Sequence, residues 1–599
     1  MTNNNSQIDS RSTSSPRIWP AVAIILILWL ALQGVSSLSE NGFVQFLVMF
    51  WGPIAAALLF LVWWSAFSRL PWRERLVGLA AFALAAGGTF VARDKSMGFM
   101  GMCIYGLPLV LTAWAVWIVV SRNGSRLVRG VGTAAVIVLA WGYLSLVRLD
   151  GVFGDMKSTI NWRWTPTAED QFLAARAEAH KSGNASPAKS GDEVVETLTQ
   201  SEGDWPEFRG PERDGRVHGV RIDTDWGAHP PKQVWRQRIG PGWSSFAIIG
   251  DRLFTQEQRG DDEATVCYRA STGEELWAHL DKTRFWEVVA GAGPRATPTF
   301  HEGRLYALGA NGKLTCLDPV TGKSHWSADI VADSGAKVPI WGFSSSPLIV
   351  DNKVIVFAGG PNNKAVLAYA IDDGKLAWAA GNGTHSYSSA HTLLIDEKPQ
   401  VLVMSDMGLA AYDPADGKTL WQHDWPMEGM ARIVQPHLLD GNRIVIGSGS
   451  MKGARMITVS HEGDAWKANE GWTSNDLKPY FNDFVSRDGV AYGFDGSIFC
   501  CIDLETGKRK WKKGRYGHGQ VLLLADQDVM LVLGEKGECV LVEVNPEKLV
   551  ELAQFPALEG KTWNHPVIAH GKLFVRNGEE MACYELKMEP TTNDANLTN

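Results

Sequence analysis

Cys316-Leu-Asp-Pro-Val-Thr-Gly-Lys-Ser-His-Trp326 recurs almost letter for letter as Cys501-Ile-Asp-Leu-Glu-Thr-Gly-Lys-Arg-Lys-Trp511. It recurs again, with Ala for Cys, as Ala411-Tyr-Asp-Pro-Ala-Asp-Gly-Lys-Thr-Leu-Trp421, and more loosely at Cys267…Gly273…Trp277 and Ala368…Gly374…Trp378. A self-match at a near-fixed period identifies the repeating unit of a fold. Alternating apolar residues before the Asp predict a strand. The Asp caps the turn and the Gly supplies its positive φ. The return strand ends in a Trp, a large apolar body suited to packing between neighbouring sheets.

Trp235, Trp277, Trp326, Trp378, Trp421, Trp466 and Trp511 follow one another at intervals of 42, 49, 52, 43, 45 and 45 residues. An eighth unit, Cys539 to Phe555, keeps the strands without the Trp. In step with this row run strand–turn–strand copies at Phe246, Pro298, Pro347, Pro436 and Pro566, with weaker ones starting at Ala390, Phe484 and Val521. Each period therefore holds four strands, the content of a propeller blade. The expectation is an all-β, eight-bladed β-propeller over 205–588. Gln233–Ile239 lacks a preceding partner and Met581–Leu586 a following one, so their pairing would close the ring and remove both edges.

The 599 residues are 45% hydrophobic, and the hydrophobicity is unevenly placed. Five apolar runs, near Ile18–Val35, Phe43–Phe67, Leu76–Ala92, Phe99–Val120 and Leu127–Val147, approach the ~20 residues that cross a bilayer. They predict an N-terminal all-α bundle of five spans over 18–150, with the third run the shortest. Arg11, Arg17, Arg69, Arg73, Arg75, Arg122, Arg126 and Arg129 fall on one side, against Arg93 and Lys95 on the other. That bias places the N-terminus in the cytoplasm and the propeller outside, in the periplasm of a bacterial inner membrane. Residues 1–17 and 589–599 read as disordered tails. Residues 151–204 read as a flexible linker with a short helix at Ala168–His180 and a Ser/Gly-rich part at 181–193. No acidic residue lies inside a run, so the bundle reads as an anchor.

The net charge of −8 and the lack of a basic stripe interleaved with aromatics exclude nucleic acid as a partner class. No Cys-x-x-Cys or Cys-x-x-Cys-His occurs among the seven cysteines, so neither a zinc ribbon nor covalent haem is signalled. Cys500 and Cys501 are adjacent within a strand and point to opposite faces.

The Trp-bearing repeat resembles that of pyrroloquinoline quinone (PQQ) enzymes and of their non-enzymatic relatives, among them the propeller lipoprotein of the outer-membrane β-barrel assembly machinery. Trp205-Pro-Glu-Phe-Arg-Gly-Pro, Arg515-Tyr-Gly-His-Gly-Gln520 and Lys561-Thr-Trp-Asn564 resemble a bacterial group of membrane-anchored PQQ-like repeat proteins. The layout of five spans before a propeller also resembles membrane-bound quinoprotein glucose dehydrogenase. The resemblance implies two alternatives: a non-catalytic scaffold binding a periplasmic protein or small ligand, or a dehydrogenase passing electrons to membrane quinone.

The connections between blades deliver a polar residue to the channel mouth before each inner strand. Ser244, Ser245, Thr297, Ser345, Ser346, Ser388, Ser389, Gln435, Asn482, Asp483, His518, Gln520, Asn564 and His565 make this ring, and Trp243, Arg295, Trp341, Tyr387, Arg432 and Trp563 are added by longer loops. Such a ring at a concave mouth is a candidate ligand site; equally, it can cap strand ends. PQQ catalysis would need Ca²⁺ held by carboxylate and amide oxygens and an Asp base. Asn482 and Asp483 are the candidate calcium ligands, and Asp483 the candidate base. The rest of the ring is neutral, which favours the scaffold. His385, His391, His518 and His565 come from different blades without metal-ligand spacing; His518, between two glycines, is the best candidate for a functional side chain among them.

Overall fold

The computed structural model describes residues 16–38, 42–154, 157–181 and 197–589, except 396, 428–431, 440, 450–451 and 464. The chain divides into two compact units, Met1–Thr165 and Pro166–Asn599. The expected disordered tails and the Ser/Gly-rich part of the linker fall almost wholly outside the described residues.

The first unit is helical. Four of its helical stretches, Val44–Phe67, Trp72–Ala92, Lys95–Asn123 and Arg126–Leu146, are long and apolar enough to cross a membrane. The first helix, Trp19–Leu38, runs 20 residues, with Trp19–Val35 an apolar stretch. The third run, the shortest in the sequence reading, is part of a full 21-residue helix. Trp64, Trp114 and Phe60 form the buried aromatic centre, with Trp64 and Trp114 ring centroids 4.7 Å apart. Gly78 is the point of close approach: a Cβ there would meet both indoles at 2.8 Å. Arg129 clasps Glu74 with two bonds of 2.7 and 2.9 Å. The unit ends in a hairpin, Val147–Val152 against Ser158–Trp162, which occupies the start of the stretch read as a linker.

The second unit holds, among the described residues, eight blade sheets in the serial order of a propeller, each of four antiparallel strands and one with an added parallel fifth, besides a two-stranded ladder of Trp286–Glu287 with Gly291–Ala292. Numbered along the chain, blade one is 247–281, blade two 299–329, blade three 348–380 and blade four 391–424. Blade five is 437–474, blade six 485–512 and blade seven 520–556. Blade eight combines 567–585 with the early strand Lys232–Arg238, which pairs with Glu580–Glu585. The two ends of the propeller chain thus share one sheet. The helix Ala168–Lys181, expected within a linker, is tied to blade one through Arg176–Glu275 and to the connection that follows it through Glu169–Arg284.

The opening repeat does its work through three contacts. The Asp318 side chain accepts from the Thr321 N–H at 2.7 Å and hydroxyl at 2.8 Å, closing the turn, and Gly322 takes φ +70°. Across the hairpin the small residue faces the Trp: Cys316 opposes Trp326, Ala411 opposes Trp421 and Cys501 opposes Trp511. The indole then reaches the next blade. Trp277 donates to Pro319 O at 3.0 Å, Trp326 to Ile371 O at 3.0 Å and Trp378 to Pro414 O at 3.0 Å. Its ring covers the turn glycine of that blade, as Trp378 covers Gly417.

Blade five breaks the pattern, and its inter-blade tryptophan is not the one at the expected interval. Its central hairpin turns at Gly463, without the Asp-x-x-Thr-Gly sequence, so its strands run on to Glu462 and Ser474. Trp472 rather than Trp466 takes the inter-blade role, donating to Leu504 O at 2.8 Å. Trp466 stacks on His461 at 4.1 Å. Trp421, packed in one cluster with Trp466 and Ala468 of blade five, bonds Gln400 of its own blade at 2.7 Å. All seven cysteines are buried free thiols; Cys500 and Cys501 belong to core clusters on opposite sides of blade six.

Candidate functional site

The axis of the propeller is crossed by its own leading segment, Asp204–Val217. Trp205 exchanges two backbone bonds with Ile248 of blade one, and Pro206 O accepts from Phe300 N of blade two. Arg213 donates to Ser346 O and Pro347 O at the entry to blade three, each at 3.1 Å, and pairs with Glu207. Arg209 donates to Phe484 O of blade six at 2.8 Å. Arg216 and Val217 then add a short parallel strand to Leu523 and Leu524 of blade seven. The segment therefore spans from blades one and two to blades six and seven. Arg209 and Arg213 both hold left-handed φ, at +66° and +54°, a conformation that costs a non-glycine residue of order 1 kcal/mol or more and persists where surroundings over-determine it.

This crossing settles what Asp483 touches. Arg209 Nη1 lies 3.4 Å from Asp483 Oδ1, and the two side chains are 1% and 6% exposed. The same oxygen accepts from Gln435 N at 3.1 Å. Burial pushes the Asp483 carboxyl up, opposed by the charge of Arg209 and the bond from Gln435. Asn482 turns its carbonyl oxygen to Tyr480 N at 3.1 Å. Among the described residues no three His, Cys, Asp or Glu side chains gather as a metal site. The proposed calcium pair is thus occupied by protein donors, and the residues present do not fit a Ca²⁺–PQQ centre.

Much of the polar ring is a belt between blades. Ser245 N donates to Thr297 Oγ1, Thr297 N to Ser346 Oγ and Ser346 N to Ser389 Oγ, each at 2.9 Å. Asn564 donates to Ser244 O at 2.8 Å and Ser245 Oγ to His565 O at 2.6 Å. These bonds satisfy backbone groups where strands enter the centre.

Above the crossing segment lies a cavity of about 1000 Å³, counting the space open to solvent. Of the sequence-selected residues it is lined by Trp243, Arg295, Trp341, Ser346, Tyr387, Ser389, Asp483, Gln520, Trp563 and His565. Thr297, Ser345, Arg432, Gln435, Asn482, His518 and Asn564 do not line it. Phe208, Val289, Ala290, Ser344, Ile433, Tyr480 and Phe481 complete the lining without having been selected. Tyr480-Phe481, just ahead of the Asn482-Asp483 pair, was the signal available in the sequence.

The walls are aromatic. Tyr387 meets Trp341 at 5.2 Å, Trp341 meets Tyr480 at 6.4 Å and Tyr480 meets Phe481 at 5.6 Å. Phe481 meets Trp563 at 4.8 Å and Trp563 meets Trp243 at 5.1 Å. Buried polar partners hold this crescent. Trp563 Nε1 donates to Glu535 at 2.8 Å, and Trp243 Nε1 to Ala290 O at 2.8 Å. Tyr387 N donates to Arg432 O at 2.6 Å. His518 stacks behind Phe481 at 5.7 Å.

Charges near the cavity are already neighboured. Arg295 pairs with Glu287 at 3.1 Å, and burial holds its guanidinium down at about 10. Lys561 lies over Trp563 and Trp243, 4.3 and 5.1 Å from their centroids, and burial brings its amine down to about 8. His565 is pushed down to about 3 by burial, then by the charge of Arg209, and is neutral at physiological pH.

Residues 278–513 match the family profile described as outer membrane protein assembly factor BamB. The propeller carries the PQQ-like repeat. Within and around this PQQ-like propeller, the assembly factor BamB of Burkholderia pseudomallei is 26% identical over 304 residues, 47% of this chain and 69% of that protein. Quinohemoprotein alcohol dehydrogenase ADH-IIG of Pseudomonas putida is 30% identical over 169 residues, 25% of this chain. The chain spans only 23% of that dehydrogenase's length. Among solved structures, BamB from Moraxella catarrhalis superposes with a TM-score of 0.44 at 14% identity, covering 59% of this chain and 100% of that one. The quinohemoprotein alcohol dehydrogenase ADHIIG gives 0.40 at 11% identity, covering 65% and 81%.

Proposed function

We propose that this chain is a binding scaffold: a PQQ-like propeller held by its apolar helices at the bacterial inner membrane, facing the periplasm and presenting its aromatic cavity to a ligand or protein. The observation that carries this reading is the ion pair of Arg209 with Asp483 inside a segment that crosses the axis. Asp483, the carboxylate that lines the cavity among the described residues and the candidate calcium ligand or base, is thereby engaged. The helices long enough to span a bilayer and the arginine bias of their connections support the membrane address. The relatives described as assembly factors support a protein partner.

The second reading, a PQQ-dependent dehydrogenase, draws on the alcohol dehydrogenase similarity, which covers a quarter of this chain. Both readings meet one assay. Purified full-length protein is given PQQ and Ca²⁺, and dye reduction is followed across alcohols and sugars. The scaffold predicts no reduction above the free-cofactor rate; reduction that disappears in Asp483→Ala would establish the dehydrogenase. Alkaline phosphatase fused after Glu589 should be active, and an inactive fusion beside a fluorescent cytoplasmic reporter would overturn the address.

A further inference from the structure

We infer that the cavity above Phe208 binds the neutral sugar rings of an oligosaccharide, an inference that rests on the scaffold reading and names its ligand. The first ground is shape. Trp341, Tyr480, Phe481 and Trp563 form a continuous wall of rings in contact, and such faces take flat molecules with an apolar side. The second ground is charge. The ionic groups at the cavity are partnered within the protein: Asp483 by Arg209, Arg295 by Glu287, and Lys561 through Val289 O at 3.0 Å. A strongly anionic or cationic ligand would lose its hydration without gaining a countercharge.

The third ground is hydrogen-bonding capacity. Ser346 and Ser389 each accept a backbone N–H through Oγ, which leaves the hydroxyl hydrogen of each to donate. Gln520, in the cavity wall, gives its amide N–H groups to Trp563 O at 2.9 Å and Phe481 O at 3.4 Å, which leaves its side-chain carbonyl oxygen to accept. Donors and an acceptor in one aromatic-walled cavity match a molecule whose hydroxyls both give and receive. A quinone only receives, and a phenyl side chain does neither. Sugar rings combine these hydroxyls with an apolar C–H face.

The test uses full-length protein in a detergent without a sugar headgroup, titrated with cellohexaose, maltohexaose and chitohexaose, and separately with a hexapeptide rich in Phe and Trp. Tryptophan fluorescence and calorimetry report binding. Saturable binding of at least one oligosaccharide is expected, weakened about 10-fold or more in Trp563→Ala and unchanged in Trp466→Ala, which lies on His461 away from the cavity. Ser389→Ala should weaken binding and, by removing the acceptor of Ser346 N–H, lower the melting temperature modestly, whereas Ser389→Cys should restore the fold without restoring the binding lost. Binding of the peptide alone, lost in Trp563→Ala, would overturn the sugar assignment and keep the scaffold reading of the cavity. Binding of neither would overturn the cavity as a ligand site altogether.

Discussion

Arg209 and Asp483, 274 positions apart in the chain, meet at 3.4 Å in the centre of the propeller with almost no exposure to solvent. Removing one partner of a buried ion pair leaves an uncompensated charge, which costs about 3–5 kcal/mol. Arg209→Ala should therefore lower stability by that order, while Arg209→Met combined with Asp483→Leu should recover much of it. A double-mutant cycle by chemical denaturation measures the coupling. Additive single effects would show that the two side chains do not act as a pair.

The turn glycines separate a steric demand from a backbone one. Gly417 and Gly489 have φ of +76° and +78°, but a Cβ would strike Trp378 at 2.6 Å on the first and meet nothing within 4 Å on the second. Gly489→Ala should cost about 1 kcal/mol from the left-handed backbone alone. Gly417→Ala should cost about 2 kcal/mol more, because the indole must also move. Equal costs at the two sites would remove the Trp–glycine contact from the account of blade spacing.

Most of the architecture was legible because the repeat encodes its own contacts. The Asp318 turn, the Cys316–Trp326 cross-strand pair and the covered glycine use residues that recur in sequence. Blade five escaped because its hairpin dispenses with that turn, leaving Trp466 at the expected interval while Trp472 faces the next blade. The crossing segment was invisible for a different reason. Trp205 to Gly215 has no periodicity, and its contacts lie hundreds of residues away, as Arg209 with Phe484 shows. Its written sign was two arginines among glycines and prolines, at Arg209 and Arg213. The polar ring was readable as a list of residues. Which members face the cavity and which face the neighbouring blade depends on a rotation that sequence alone does not specify.

Stability should depend on acid through buried histidines. His565 and His391 are pushed down by burial to about 3 and about 4, and His437 well below its usual value of 6.5 by the same cause. Each has a folded pKa below its unfolded one, so its contribution is complete above about 6.5 and is lost as pH falls toward the folded value. Glu263 acts in the opposite sense. Burial raises its carboxyl to about 7, so stability from this group is greatest below its ordinary 4.5 and falls as pH rises from there to 7. Asp483, Glu207 and Glu538, also raised by burial, share the sense of Glu263, and His385 and His423, lowered by burial, share that of the other histidines. The histidine losses fall between pH 7 and pH 5, where the unfolded value of about 6.5 lies, and predict a net fall in melting temperature over that interval, smaller in His437→Gln than in wild type. A melting temperature that rises over this interval would contradict the assignment.

The thiols offer a plain test of the Cys500–Cys501 strand. With the seven cysteines free and buried, thiol reagent without reductant should label none rapidly in the native protein and all seven after denaturation. Five labelled thiols would reveal a disulfide and place a covalent link where the strand puts two side chains on opposite faces.

The claim that the centre of the propeller is already filled by its own chain is tested most directly by calorimetric titration of PQQ, with Ca²⁺ present, into the full-length protein. The account predicts no saturable heat, because Arg209 holds Asp483 and the Asp204–Val217 segment occupies the axis. Stoichiometric binding that is abolished by Asp483→Ala would contradict it.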